Sequence, residues 1–415
     1  MAIRRWAKIG ATALLLGASA LALGGAAAKP APHKSPAADT PLMIDLDTHL
    51  DIPAHFGRAG WDIAKRHTFD NDLTQVDYPR MVEGKLDGGF FAIYIAQGPL
   101  TPEGFAAARD KGLLRAMHIR EMVAGHKDKF ELAFAADDAA RIKQEGKRIV
   151  FQSMENSYPM GEDLTLFQTF YKLGVRLAGP VHFLNNEFAD SATDKPRWHG
   201  LSPLGRDWVK EANRLGVIID ASHASDDVFD QLLEQSKTPI ILSHSGVKFV
   251  NDHPRNIDDE RLKKLAAAGG VIQINSVYLA PMPKGLGGGM PPGAAKMEAM
   301  EDLSVAEQKK LIADMQAWRK LHPSKPVATF DTFMKAMLHA IQVAGIDHVG
   351  IGCDWDGGGG VQGMEDIVSL PKITAALKKA GYSDADIAKV WGGNVLRVMR
   401  QVEAYRDSVK GKPAG

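Results

Sequence analysis

A single cysteine, Cys353, stands in the whole chain, so no intrachain disulfide can form. Net charge is equally scarce. Fifty basic and fifty acidic residues cancel, and no bulk field favours nucleic acid or an anionic membrane surface. A Gly-Lys-Ser/Thr phosphate-binding signature is missing too, so the Gly-, Pro- and Met-rich stretch 281–295 reads as an exposed insertion. A long apolar run occurs only at the N-terminus. There Arg4, Arg5 and Lys8 precede an Ala- and Gly-rich apolar stretch from Ile9 to about Ala28 that ends in small residues. That order of charge, apolar middle and small residues is the pattern of a cleaved export signal. It predicts a signal over 1–28, a flexible Pro/Ala/Lys-rich leader over 29–40 and a mature domain over 41–415. The C-terminus is polar, without the apolar tail of an anchor. The expected destination is outside the cytoplasm, in a bacterial periplasm, with no membrane span after cleavage.

What the chain does have is a rhythm. Eight short apolar runs, at 43–52, 88–95, 149–154, 175–181, 217–221, 239–243, 270–278 and 349–353, alternate with stretches of helical periodicity. The latter lie at 102–124, 136–145, 164–173, 202–215, 259–268, 304–321, 330–344, 367–379 and 384–406. Another helix is capped by Ser225, and Ser304 with Glu307 forms a capping box. Strands that are apolar throughout are buried on both faces, as in parallel sheets. Eight such units in 415 residues predict an α/β fold, a (β/α)8 barrel of the TIM type. A doubly wound open sheet is the alternative, but it does not normally recruit residues from so many strand ends to one place.

The strand ends carry the chemistry. The first run closes on His49 and Asp51, which point to the same side of an extended chain. Later runs end at Glu155, His182, His223, His244 and Asp354. A lone His-x-Asp is more often an ordinary turn. Four histidines and three carboxylates at the ends of barrel strands would all face one rim, where barrel active sites are built. A catalytic zinc usually takes three protein ligands. Five candidates from the first, third, fifth and sixth strands suit two Zn2+ ions with Glu155 as the shared carboxylate. Paired ions activate water for hydrolysis, which leaves Asp354 as a proton shuttle.

With these residues assembled, the chain resembles the membrane (renal) dipeptidase family of zinc-dependent barrel peptidases, within the amidohydrolase superfamily. The resemblance covers nearly everything after the leader. It rests on Asp47-Thr48-His49-Leu50-Asp51-Ile52-Pro53, Gly200-Leu201-Ser202-Pro203-Leu204-Gly205, Asp220-Ala221-Ser222-His223, Ser243-His244-Ser245, Arg255-Asn256 and Gly352-Cys353-Asp354-Trp355-Asp356-Gly357. It continues into Asn394-Val395-Leu396-Arg397-Val398, similar to the family's closing helix. The resemblance implies one zinc on His49, Asp51 and Glu155, and a second on Glu155, His223 and His244. It also implies that His182 holds the oxyanion, Arg255 pairs with the substrate's C-terminal carboxylate and Asp354 moves the proton. The implied substrates are dipeptides, often including those with a C-terminal D-residue, and a homodimer is the expected assembly.

Three features depart from the family pattern. Asn156 follows Glu155 where the family usually has glycine, Phe183-Leu184-Asn185 follows His182 in place of the usual residues, and the insertion after Tyr278 is long. These bear on substrate choice. Two other readings are another barrel amidohydrolase, acting on N-acyl amino acids or lactams, and a zinc- or peptide-holding module without turnover. Arg255 argues for a substrate with a free carboxylate, and a spare Asp354 argues for turnover. His118, His126, His253, His322, His339, Asp356 and Gly357 read as structural, and Cys353 is expected to point out of the barrel.

Overall fold

A computed structural model describes residues 42–281, 293, 296, 300–322 and 328–410. The expected signal, the leader and almost all of the Gly/Pro-rich insertion fall outside the described residues. From Pro41 onward the chain forms one compact unit.

Eight parallel strands form a ring: β1 Leu46–Leu50, β2 Gly88–Tyr94, β3 Arg148–Glu155, β4 Val175–Ala178, β5 Ile218–Ile219, β6 Ile241–Val247, β7 Val271–Ile274 and β8 Val349–Ile351. Strands β1 to β5 pair in sequence order, and so do β6 to β8. Two single parallel bridges close the ring. One joins Asp220 beyond β5 to Ile241 of β6, and the other joins Leu50 of β1 to Trp355 beyond β8. Each of the eight apolar runs has become one barrel strand, so the fold is the expected TIM-type barrel.

The barrel interior is packed at its N-terminal end. Leu46, Phe90, Phe151, Leu177, Ile218, Ile241 and Val271, one from each of seven strands, cluster with Val395, Val398, Met399 and Val402 of the last helix. Leucine, valine and aromatic side chains of that volume leave no pore, and the His and Asp/Glu side chains of the strand ends gather at the opposite rim. Outside the ring, the helices bury their apolar faces on the strands. Most begin on a side-chain cap, such as Ser202 accepting from the Gly205 amide or Ser225 from that of Val228.

Several boundaries differ from the sequence-based expectation, each for a local reason. Strand β4 stops at Ala178, because Gly179-Pro180 follows and proline has no amide proton for a ladder. Strand β6 runs on to Val247, which puts His244 inside a strand instead of after it. A three-residue strand, Phe130–Leu132, pairs with β3 outside the ring and was too short to carry a periodic signal. The expected 384–406 helix is interrupted by a π-turn over Lys389–Gly393. At Gly392 a Cβ would lie 2.3 Å from the Ile44 carbonyl, so the helix widens where it presses on the start of the barrel.

Candidate metal centre and active site

The seven strand-end residues meet at the C-terminal rim, all buried. Glu155 lies at their centre, and its two oxygens face different sides. Oε2 is 3.3 Å from His49 Nε2, which is itself 3.3 Å from Asp51 Oδ2. Oε1 is 2.9 Å from His223 Nε2, 3.4 Å from His244 Nε2 and 3.5 Å from His182 Nε2. Asp354 Oδ1 lies 3.9 Å from His49 Nε2. Three triads bring their ligand atoms within 4.8 Å of one another: His49–Glu155–His244, Glu155–His182–His223 and His49–Asp51–Asp354. His182 and Asp354 thus stand as near to a potential cation as the five expected ligands.

The surrounding hydrogen bonds fix how these groups can act. Asp220 accepts from the hydroxyls of both Ser222 and Ser243 and from the Ser243 amide. The Ser243 proton is thereby committed, so its Oγ can only accept from His244 Nδ1, 2.8 Å away. That sets the His244 tautomer and leaves the Nε2 lone pair facing Glu155, the arrangement a metal-binding imidazole needs. Asp47 accepts from the amides of His49 and Cys353 and so ties β1 to the chain beyond β8. Cys353 is fully buried, and burial, with Asp47 beside it, pushes its thiol well up.

Electrostatics define the same spot. Burial holds His223 and His244 well below the ordinary imidazole range, reinforced by Arg255 and by His49 respectively. Burial also acts on His49, but the Glu155 and Asp51 carboxylates outweigh it and push that ring well above its ordinary value. Burial would raise Glu155, yet His49 and His182 hold it well below the carboxylate range. Asp354 is driven the other way, well up, by burial and the neighbouring Asp51 and Glu155. A buried cluster that crowds three carboxylates and draws positive charge onto a histidine suits divalent cations. His49 Nε2 and Asp51 Oδ1 are buried without a hydrogen-bond partner among the described residues, as befits a nitrogen and oxygen donor set facing a metal.

Beyond the cluster opens a cavity of about 440 Å³, large enough for a small ligand. Asp51, Glu155, His182, His223, Arg255 and Asp354 all line it. Arg255 is 2% exposed; its guanidinium donates to the His244 carbonyl at 3.0 Å and to Ser245 Oγ at 3.3 Å and lies over the Tyr278 ring. Its Nε has no partner among the described residues. The two nearby acids that could have made it a structural arginine are engaged elsewhere: Asp258 with Arg261 and Asp259 with His339, each at 2.7 Å. Phe183 also lines the cavity, its ring 3.9 Å from that of His182.

One departure from the family pattern now has a physical reading. Asn156 sits at φ +68°, a left-handed backbone that asparagine tolerates better than most residues, and its carboxamide accepts from Asn186 and the Tyr158 amide. Asparagine thus does the backbone work of a glycine and adds hydrogen bonds. Asp354 and Asp356 are also left-handed, both at φ +66°. Between them and β1, Gly357 packs so closely that a Cβ would lie 2.0 Å from Asp51 Oδ2 and 2.3 Å from Asp354 Oδ1. His55, Arg115 and Tyr278, which also line the cavity, were not singled out from sequence as site residues, since nothing in their spacing separates them from ordinary loop and core residues. His118 and His126 border a separate, smaller cavity, and His322 and His339 lie apart from the site.

Comparison with known proteins decides the family. Residues 40–413 match the family model described as membrane dipeptidase, peptidase family M19. The chain belongs to the membrane dipeptidase family. It is 31% identical over 389 residues to dipeptidase tcpJ of Claviceps purpurea, covering 91% of this chain and 82% of that one. Dipeptidase 3 of Rattus norvegicus is 29% identical over 385 residues, covering 90% and 67%. Among solved structures, the probable dipeptidase PvdM of Pseudomonas aeruginosa is 30% identical with a TM-score of 0.75, covering 88% and 97%. A Rhodobacter sphaeroides metallopeptidase, solved with a phosphinate mimic of L-Ala-D-Ala, is 23% identical with a TM-score of 0.68, covering 87% and 99%, and speaks for the fold alone. As a member of this family the chain is a metal-dependent dipeptidase, a hydrolase of peptide bonds with a small peptide as substrate. No helix among the described residues is long and apolar enough to cross a membrane.

Proposed function

We propose that this family member is an exported dipeptidase that works with two zinc ions bridged by Glu155 and cleaves free dipeptides, including those with a C-terminal D-residue. The observation that carries the dinuclear reading is the division of Glu155, with Oε2 toward His49 at 3.3 Å and Oε1 toward His223 at 2.9 Å and His244 at 3.4 Å. His49, Asp51 and Glu155 would hold one ion, and Glu155, His223 and His244 the other. When bound, the pair supplies Lewis acidity and lowers the pKa of water. The chain's own residues do the rest. Arg255 receives the substrate's carboxylate on its fork, which aligns the peptide bond across the Glu155 cluster. His182, braced by Phe183 and by the Tyr94 ring at 4.8 Å, faces the carbonyl oxygen as it gains charge. Asp354, buried beside the cluster, takes a proton from water as its carboxylate and passes it to the leaving amine.

The barrel amidohydrolase alternative finds less support, because the relatives that this chain resembles over most of its length are named dipeptidases. The test is direct. The purified mature protein is given L-L, L-D and D-D dipeptides with and without chelator. L-L and L-D dipeptides should be cleaved and chelator should abolish turnover, whereas activity on N-acyl amino acids or lactams with none on free dipeptides would overturn the reading.

A further inference from the structure

The cavity has a second end, away from Arg255. In a ring of eight strands β6, whose following loop carries Arg255, stands across from β2, and β1 lies beside β2. Lining the cavity on that side are His55, just beyond β1, and Lys111 and Arg115 on the helix Pro102–Gly125 after β2. His55 is 5% exposed, and its Nδ1 lies 2.6 Å from Arg58 Nη1. A guanidinium can only donate, so His55 Nδ1 must accept and the neutral ring carries its proton on Nε2. Burial, with Arg58 adjacent, holds His55 near a pKa of about 3, so the ring stays neutral at any physiological pH. Trp61 stacks on the ring at 5.6 Å and fixes its plane. The Nε2–H has no acceptor among the described residues. Arg115, 4% exposed, uses Nη1 on the Pro53 carbonyl and Nη2 on Glu301 at 3.1 Å, while its Nε–H is buried without a partner among the described residues.

This end therefore offers donors from His55 and Arg115, and each cation near them has an acidic partner. Arg58 is balanced by Asp72 at 2.6 Å, Arg115 by Glu301, and Lys111 by Asp302 at 3.8 Å. We propose that His55 and Arg115 form a subsite that reads the side chain of the substrate's N-terminal residue and selects one ending in hydrogen-bond acceptors, a carboxamide or carboxylate. The proposal rests on the placement of the substrate's carboxylate at Arg255, since that places the N-terminal residue toward β1 and β2. An α-ammonium would find no acceptor among these donors. It turns instead toward Asp356, which lines the same cavity with its Oδ2 unpartnered among the described residues.

A site built to hydrogen-bond a polar group discriminates strongly against an analogue that leaves its buried donors unpaired. Gln-Ala, Glu-Ala and Met-Ala share nearly the same side-chain length and differ in the acceptors. Wild-type kcat/KM should favour Gln-Ala and Glu-Ala over Met-Ala by about tenfold or more. In His55→Phe the ratio should fall toward one, and His55→Gln, which keeps an N–H donor, should restore part of it. The wild-type ratio tests the subsite even if a variant fails to fold. Cleavage of all three with equal efficiency would overturn the subsite while leaving the dipeptidase reading intact, as would an unchanged ratio in His55→Phe. Failure to cleave any of the three, alongside cleavage of blocked substrates, would overturn the placement at Arg255 and the subsite with it.

Discussion

Replacing Asp354 by asparagine should leave a folded, metal-loaded protein that barely turns over. Asparagine has the same shape and tolerates the left-handed backbone found here at φ +66°, so the loop after β8 and its contact with Gly357 should persist. What disappears is the ability to take up a proton. General acid–base assistance is typically worth ~10²–10⁴-fold, and the loss should fall on kcat with KM little changed. The variant should bind as much metal as wild type and melt at nearly the same temperature. A kcat close to wild type would mean that another group carries the proton, and a large loss of metal would mean that Asp354 is itself a ligand. The second outcome has a structural basis, since Asp354 shares a triad with His49 and Asp51.

Arg255→Ala should lower kcat/KM for free dipeptides sharply. Hydrogen bonds to charged groups contribute roughly 1.5–3 kcal/mol, which corresponds to roughly tenfold to more than a hundredfold. The same change should matter little for dipeptide amides, which wild type should already cleave poorly. Because Arg255 also donates to the His244 carbonyl and to Ser245, some loss of general activity is expected, and the comparison between acid and amide substrates separates the two effects. Lysine restores the charge without the fork and should recover only part of the preference. Equal cleavage of acids and amides by wild type would remove Arg255 from substrate recognition.

Much of the fold was legible because its signal is strong and local. Runs such as Phe90 to Ile93 are apolar at every position, and only a strand buried on both faces calls for that. The residues that the structure gathers around Glu155 were legible for a related reason: each follows an apolar run, and barrel topology brings the ends of such runs together. What sequence could not give depends on tertiary contacts. Asp220 occupies a position where any small polar residue would look natural, and only the fold shows it accepting from Ser222 and Ser243 to orient His244. His55 sits four residues beyond Asp51 in an unremarkable turn. Its donor character follows from Arg58, whose own position is fixed by Asp72 and by the distant Gln308. The π-turn at Lys389–Gly393 was hidden because helical periodicity continues on both sides of it.

The most direct test of the two-ion centre is a zinc titration of chelator-stripped mature protein, followed through hydrolysis of a single free dipeptide. Turnover should be absent at the start and rise to a plateau near two ions per chain, with Glu155→Ala failing to reach it at any zinc concentration. A plateau at one ion, or turnover by the stripped protein, would contradict a centre built on the two oxygens of Glu155.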